Sequence, residues 1–348
     1  MIGKDVGESD MKNVTLQHDA EINESKSIRK KESGVSVLEV NENYEGQRID
    51  NFLLTKFKGM PKSHIYKLLR KGEVRVNKKR TKPTYRLKIG DLVRIPPVRE
   101  EVESGGKLSK PSSSAINYLK RSVIYEDESL LVLNKPAGMA SHGGSGINFG
   151  VIEILRAARP ELSYLELVHR LDKGTSGCLL LAKKRSMLRQ LHQLLREGKL
   201  SKKYWLLVKG QWTLGKKKVE ESLLKNRLLS GERMVKISAQ GKPAVTVFYP
   251  MQIFGDASLL EAEIHTGKTH QIRVHAAHLG CPIAGDDKYG DQEFNKFMAA
   301  NYGLKRIFLH ARFLKFYLPN SGKPFEFTAN LDEDLNLVLK RLNRKGAK

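Results

Sequence analysis

The 348-residue chain is predicted to fold as an α+β protein, with a small basic domain in front of a larger mixed one. Three observations carry this. Apolar spacing switches repeatedly between helical and strand periods. Positive charge is concentrated in one short stretch. A Ser-, Gly- and Pro-rich segment separates that stretch from the rest of the chain. A hydrophobic content of 40% is enough for a real core in more than one domain.

The net charge is +24. A surplus of that size points to a polyanionic partner, most often nucleic acid; the plainer alternative is charge that only keeps the chain soluble. The two cysteines, Cys178 and Cys281, give neither a disulfide framework nor a four-cysteine metal knuckle. No apolar run approaches the length needed to span a membrane, and the opening "MIGKDVGESD" has no signal-peptide core. A reducing cytoplasmic setting is the expectation.

Residues 1–35 are polar, mixed in charge and poor in aromatic or branched apolar residues, so a disordered tail is expected. Residues 48–97 hold 15 Lys and Arg against Asp50, Glu73 and Asp91, which is half the net charge of the chain. "GQRIDNFLLTKF" spaces Ile49, Phe52, Leu53 and Phe57 as a helix. "PKSHIYKLLRKG" repeats the pattern with Ile65, Leu68 and Leu69, starts at Pro61 and Ser63 and stops at Gly72. "EVRVN" and "LKIGDLVRIP" read as strands. Two short helices followed by a small basic β element resemble the S4-type RNA-binding domain. The resemblance implies RNA-phosphate contacts from Lys62, Lys67, Arg70, Lys71, Arg75 and Lys78. The same charges would also suit a merely solvated face.

Residues 98–117 read as a flexible linker. From 118 to 342 the texture is mixed. "SVIYEDESLLVLNKPAGM" is strand, turn, strand; "GVIEILRAA" and "RSMLRQLHQLLREG" are helices; "GCLLLAKK" and "KYWLLVKGQW" are strands.

Chemistry concentrates in three segments. In "HRLDKGTSG", Thr175 and Ser176 suit a turn and Gly177 a tight backbone before the strand. Asp172 then sits at a strand end among cations, usable as nucleophile or base. The plain alternative is an acid that only closes its own turn. "EIHTGKTHQIRVHAAHLG" is no P-loop, because the earlier glycine of that motif falls on Ala262. Its four histidines lack the H-E-x-x-H spacing of a zinc site. A helix from about His270 to Gly280 is the simpler reading, with Ile272, Ala276 and Leu279 facing the core and Arg273 on another side. In "SKKYWLLVKG", Tyr204 begins a strand after a basic turn.

Together, "HRLDKGTSG", "KKYWLLVKGQW" and "HTGKTHQIRVHAAHLG", preceded by "KPAGMASHGGSG", resemble the catalytic motifs of the ribosomal large subunit pseudouridine synthases. The resemblance spans roughly residues 37–340. It implies a mixed, mainly antiparallel sheet with flanking helices. It also implies isomerisation of uridine to pseudouridine in 23S ribosomal RNA, by a monomer without cofactor, metal or membrane. It assigns Asp172 as catalytic carboxylate, Tyr204 as the catalytic residue that stacks on the base and helps remove the C5 proton, and Arg273 as the partner of Asp172. Arg170 would fill the space left by the flipped base, and Leu171 would line an apolar surround. Lys268 stands where the family more often has arginine, which keeps the charge but loses the bidentate fork. A lone carboxylate suits this reaction, since hydrolysing glycosidases need a second one to activate water. Addition of Asp172 to C1′ and removal of the C2′ proton both remain open. So do two other classes: a non-catalytic ribosome-associated RNA binder, and a metal-dependent nuclease, for which the motifs supply only Asp172.

Overall fold

The structure is a computed structural model and describes residues 35–57, 60–97, 111–144, 149–227, 233–318 and 321–346. The expected tail lies outside these residues apart from Val35. The chain separates into two compact units, residues 1–102 and 103–348.

The first unit contains β1 (Ser36–Glu39), α1 (Ile49–Lys56), α2 (Lys62–Lys71), β2 (Arg75–Val76), β3 (Lys79–Arg80) and β4 (Leu92–Ile95). The strands form one antiparallel sheet in the order β1-β4-β2-β3. Ile49, Phe52 and Leu53 of α1 and Ile65, Leu68 and Leu69 of α2 pack with Val76 and Val93 in a single core, as their helical spacing predicts. The strands are shorter than expected. "EVRVN" ends at Val76 because Asn77 and Lys78 form a hairpin turn with φ of 49° and 66°. "LKIG" is a turn, not a strand. Asp91 closes it by accepting the Lys88 N–H at 2.8 Å, and also accepts the Tyr85 hydroxyl at 3.0 Å.

The second unit opens with α3 (Ser113–Arg121), which occupies the end of the expected linker. Ser112 caps it through the Ala115 N–H at 3.2 Å, and Leu119 is fully buried. A cap and one apolar anchor suffice where the next strand supplies a surface to pack on. Then follow β5 (Val123–Glu126), β6 (Leu130–Lys135), α4 (Val151–Ala158), β7 (Glu166–Leu167), β8 (Ser176–Ala182), α5 (Arg185–Arg196) and β9 (Ser201–Lys209). After them come β10 (Lys217–Arg227), β11 (Arg233–Ile237), β12 (Lys242–Ile253), β13 (Ala257–Ile264), α6 (Gln271–His278) and α7 (Gln292–Tyr302). The unit ends with β14 (Leu309–Phe316), β15 (Phe325–Thr328) and α8 (Glu333–Gly346), so the expected domain end at 342 falls inside a helix.

The eleven strands among the described residues of this unit form one sheet, ordered β11-β10-β12-β13-β9-β14-β8-β6-β5, with β15 on β14 and β7 on β8. Every pairing is antiparallel except β8 with β14. The fold is therefore α+β with a mixed, mainly antiparallel sheet.

Strand alternation assigns the two faces. Leu131, Leu133, Leu179, Leu181, Leu206 and Leu260 pack with residues of α3, α4 and α6. Leu130, Val132, Leu180 and Ala182 face the other way, with Leu191 and Leu194 of α5. On that second face Leu207 and Leu259 pack with α7 and α8. Strand β8 is buried at all seven positions, which is why "GCLLLA" reads as a continuous apolar run rather than an alternating one.

Gly177 is required where β8 meets β14. It lies opposite Ala311, with φ of 108°, and a Cβ there would sit 2.3 Å from the Ala311 carbonyl oxygen. The glycine thus lies inside the strand, not ahead of it. Directly paired residues run Ala262, Tyr204, Ala311, Gly177 across β13, β9, β14 and β8. Tyr204 is the one large side chain in a row of small ones, so the sheet is hollowed on either side of it.

Candidate active site

Asp172 sits on the loop between β7 and β8, where the Thr175 N–H bonds its carbonyl at 3.1 Å. The loop is held by the turn after β6. Ser141 accepts the Leu171 N–H at 3.0 Å and donates to the Leu171 carbonyl at 2.8 Å. The Gly138 N–H donates to the Lys173 carbonyl at 2.8 Å. Lys135 is fully buried and donates to the carbonyls of Pro136 at 2.8 Å and Met139 at 2.7 Å. Burial lowers its ammonium to about 7, against an opposing pull from the Asp172 charge. Ser141→Ala would leave both polar groups of Leu171 without a partner, at roughly 1–3 kcal/mol. A lower Tm and a slower reaction are expected together; an unchanged Tm would remove Ser141 as the support of this loop.

A cavity of about 1560 Å³ opens beside Asp172 on the sheet face that carries Tyr204. Its lining includes Arg170, Lys173, Arg196, Lys202, Lys225, Lys268 and Lys288, with Asp172 as the lone carboxylate among the described residues. Leu171 is buried in its wall. Arg170 is exposed at the cavity and donates through an Nη to His142 Nε2 at 2.7 Å. Tyr204 is 7% exposed. Burial first, and then the Asp172 charge, push its phenol upward, so it stays protonated at neutral pH.

Arg273 makes only a long ion pair with Asp172 and gives its hydrogen bonds to other acids. Its Nε and Nη2 bond Asp286 at 2.7 and 2.5 Å, and its guanidinium lies 5.1 Å from the centre of the Tyr289 ring. Only Nη1 approaches Asp172, at 4.0 Å. Asp286 is buried and also accepts the N–H groups of Lys288 and Tyr289, so it holds the fork more firmly than the half-buried Asp172 can. His270, at φ of 54°, brings Nε2 to 3.9 Å from Asp172, while Nδ1 bonds the Tyr289 hydroxyl at 2.8 Å. Burial lowers the His270 pKa, with the Asp172 charge opposing. No described residue hydrogen-bonds the Asp172 carboxylate.

Helix α6 is buried on more sides than its pattern suggests, with Gln271, Ile272, Arg273, Val274, His275 and Ala276 all buried. Gln271 explains the "HTGKTH" turn. Its Oε1 accepts the Thr266 hydroxyl at 2.7 Å and the Lys268 N–H at 3.1 Å, and its Nε2 donates to the Val245 carbonyl at 2.9 Å. The four histidines diverge: His270 toward Tyr289, His275 toward Thr246, His278 toward Glu221, and His265 exposed. Among the described residues no group of metal-capable side chains converges.

In the first unit Lys62, Lys67, Arg70, Lys71, Arg75 and Lys78 are all exposed, the first four on α2. Among the described residues no helix is long and apolar enough to cross a membrane.

Local spacing did not point to His142, Ser141, Lys135, Lys202 or Asp286. Three of these lie within "SHGG" and "GDDKYG", but their partners are distant in sequence.

Residues 129–278 match the family model described as RNA pseudouridylate synthase, and residues 47–93 match the S4 domain. The ribosomal large subunit pseudouridine synthase C of Haemophilus influenzae is 53% identical over 310 residues, covering 89% of this chain and 96% of that protein. The Escherichia coli K12 protein of the same name is 53% identical over 309 residues, covering 88% and 97%. Among solved structures, human RNA pseudouridylate synthase domain containing 4 superposes with a TM-score of 0.56 at 26% identity, over 66% of this chain and 96% of that one. Human RNA pseudouridylate synthase domain containing 1, at 23% identity and a TM-score of 0.50, shares the fold.

Proposed function

Because the chain belongs to the RNA pseudouridylate synthase family, among the ribosomal large subunit synthases, we propose that it isomerises specific uridines of 23S ribosomal RNA, with Asp172 as the catalytic carboxylate. One observation carries the assignment. Asp172 is the lone carboxylate among the described residues lining a cavity that also carries seven Lys and Arg, and its carboxylate accepts no hydrogen bond from a described residue.

The reaction breaks the N1–C1′ bond, turns the uracil and joins C5 to C1′. The C5 proton leaves and N1 regains one, so no cofactor or external energy source is required. Asp172 acts at the sugar, through C1′ or through the C2′ proton. As the lone carboxylate of the cavity it is also the base available for the C5 proton. Tyr204, kept as a phenol, stacks on the base in the hollow between Ala262 and Ala311. Arg273 sets the field behind Asp172 while anchored on Asp286. Lys268 and the exposed cations of α2 and the following hairpin meet phosphates, which set register and salt dependence rather than sequence.

To enter the cavity the uridine must leave its stack, at a cost of a few kcal/mol. Arg170 fills the vacated space, its planar guanidinium stacking where the base had been. Arg170→Ala is expected to slow single turnover roughly 30-fold or more on a stacked target, and less on a target already extruded. Arg170→Lys should recover little. Equal losses on both targets with rescue by lysine would instead make Arg170 a phosphate contact.

Mapping pseudouridine in 23S RNA from cells with and without this gene tests the function as a whole. Sites that disappear on deletion and return with the wild-type gene support it; an unchanged map overturns it.

A further inference from the structure

Strand β9 carries two adjacent lysines with opposite fates. Lys203 faces away from the cavity and pairs with Glu261 at 2.7 Å. Lys202 lies on the same face as Tyr204, lines the cavity and is only 9% exposed. Its ammonium makes no hydrogen bond and no ion pair with any described residue. The other buried lysine among the described residues, Lys135, is bound to carbonyl oxygens. An unpaired buried ammonium is costly to fold around, because its desolvation has no compensating partner. Burial by itself draws Lys202 down to about 8.

The surroundings indicate what would relieve that cost. Lys202 Nζ lies 3.7 Å from where a Cβ on Gly267 would be, so it faces the backbone of the "HTGKTH" turn. Lys268, the next residue on that turn, lines the same cavity. A uracil carbonyl would give Lys202 a hydrogen bond but leave its charge uncompensated. A phosphodiester would supply both. Lys202 and Tyr204 are about 7 Å apart along the strand, on the scale of one nucleotide from base to phosphate.

We propose that Lys202 is a phosphate receptor, held unpaired in the free enzyme to bind the phosphodiester adjoining the target uridine. The inference deepens the catalytic reading and rests on it for the identity of the RNA.

The test is equilibrium binding of an unmodified 23S RNA fragment to the full-length wild type and to Lys202→Met across a range of salt. Lys202→Met should weaken binding about tenfold, the worth of a hydrogen bond to a charged group. It should also lower the slope of log K against log salt by about 0.7–0.9, one released counterion. Methylphosphonates placed one at a time around the target should reveal one position that weakens the wild type and leaves Lys202→Met unaffected. The Tm of Lys202→Met should equal or exceed that of the wild type, because an unpaired buried charge is gone. An unchanged slope, no such position, or a fall of several degrees in Tm would each overturn the proposal; the last would make Lys202 structural. If the wild type shows the Lys202-dependent slope yet forms no pseudouridine in the same RNA, the catalytic reading fails and this one stands.

Discussion

Asp172→Asn is expected to abolish pseudouridine formation while RNA affinity and thermal stability stay close to wild type. The carboxylate makes no hydrogen bond to a described residue, and the nearest basic groups, the His270 imidazole and the Arg273 guanidinium, stand at 3.9 and 4.0 Å. The fold therefore loses little when the charge is removed, and asparagine occupies almost the same volume. The reaction loses its nucleophile or base. A proton-transfer role by itself predicts a drop of about 10²–10⁴-fold, and a covalent role more. Single-turnover conversion and equilibrium binding on one RNA measure both quantities. Conversion within tenfold of the wild type would sink the assignment. A matching collapse of binding or Tm would show that the residue is structural.

The second large effect is expected at a residue that does not touch the cavity. Asp286→Asn removes the charge that faces both Nε and Nη2 of Arg273, inside the protein. Breaking a buried pair from one side costs about 3–5 kcal/mol, because the remaining charge is stranded. A freed guanidinium would also turn toward Asp172, so the rate should fall with the stability. The pH dependence has a definite sign. Burial would raise the Asp286 pKa, but the hydrogen bonds and charge of Arg273 outweigh it, and the folded value lies below the unfolded one. The pair thus stabilises the fold fully above the unfolded carboxylate pKa of about 4, and the contribution fades as pH falls through the lower folded value. Denaturant unfolding should show wild type and Asp286→Asn far apart at neutral pH and converging in acid. A constant gap across pH would mean the loss is steric.

Much of this organisation is legible from sequence because it is local. The helices α1 and α2, the all-apolar strand β8 and the turn bearing Asp172 follow from spacings of two to four residues and from where glycine and proline fall. The S4-like unit announces itself through charge. Its short strands do not, because Asp91 and the turn at Asn77 and Lys78 convert apparent strand residues into turns. Helix α3 was hidden for a similar reason: Ser112, Ser113 and Ser114 suit a linker as well as a cap, and only the packing of Leu119 decides between them.

The order of residues was enough for the α+β class, the helix and strand periods, the basic front unit and the motif that carries Asp172. The partners were chosen in three dimensions. Arg273 had several acids within reach of its chain segment, and it bonds most closely the one whose burial and backbone hydrogen bonds strengthen the pair. Lys202 and Lys203 are equivalent by type, and only the pleat of β9 sends one to Glu261 and the other, unpaired, into the cavity. Periodicity records which face of an element is buried. Which charge meets which is settled by desolvation and by competition among groups that the chain brings together from far apart, and no local spacing encodes that.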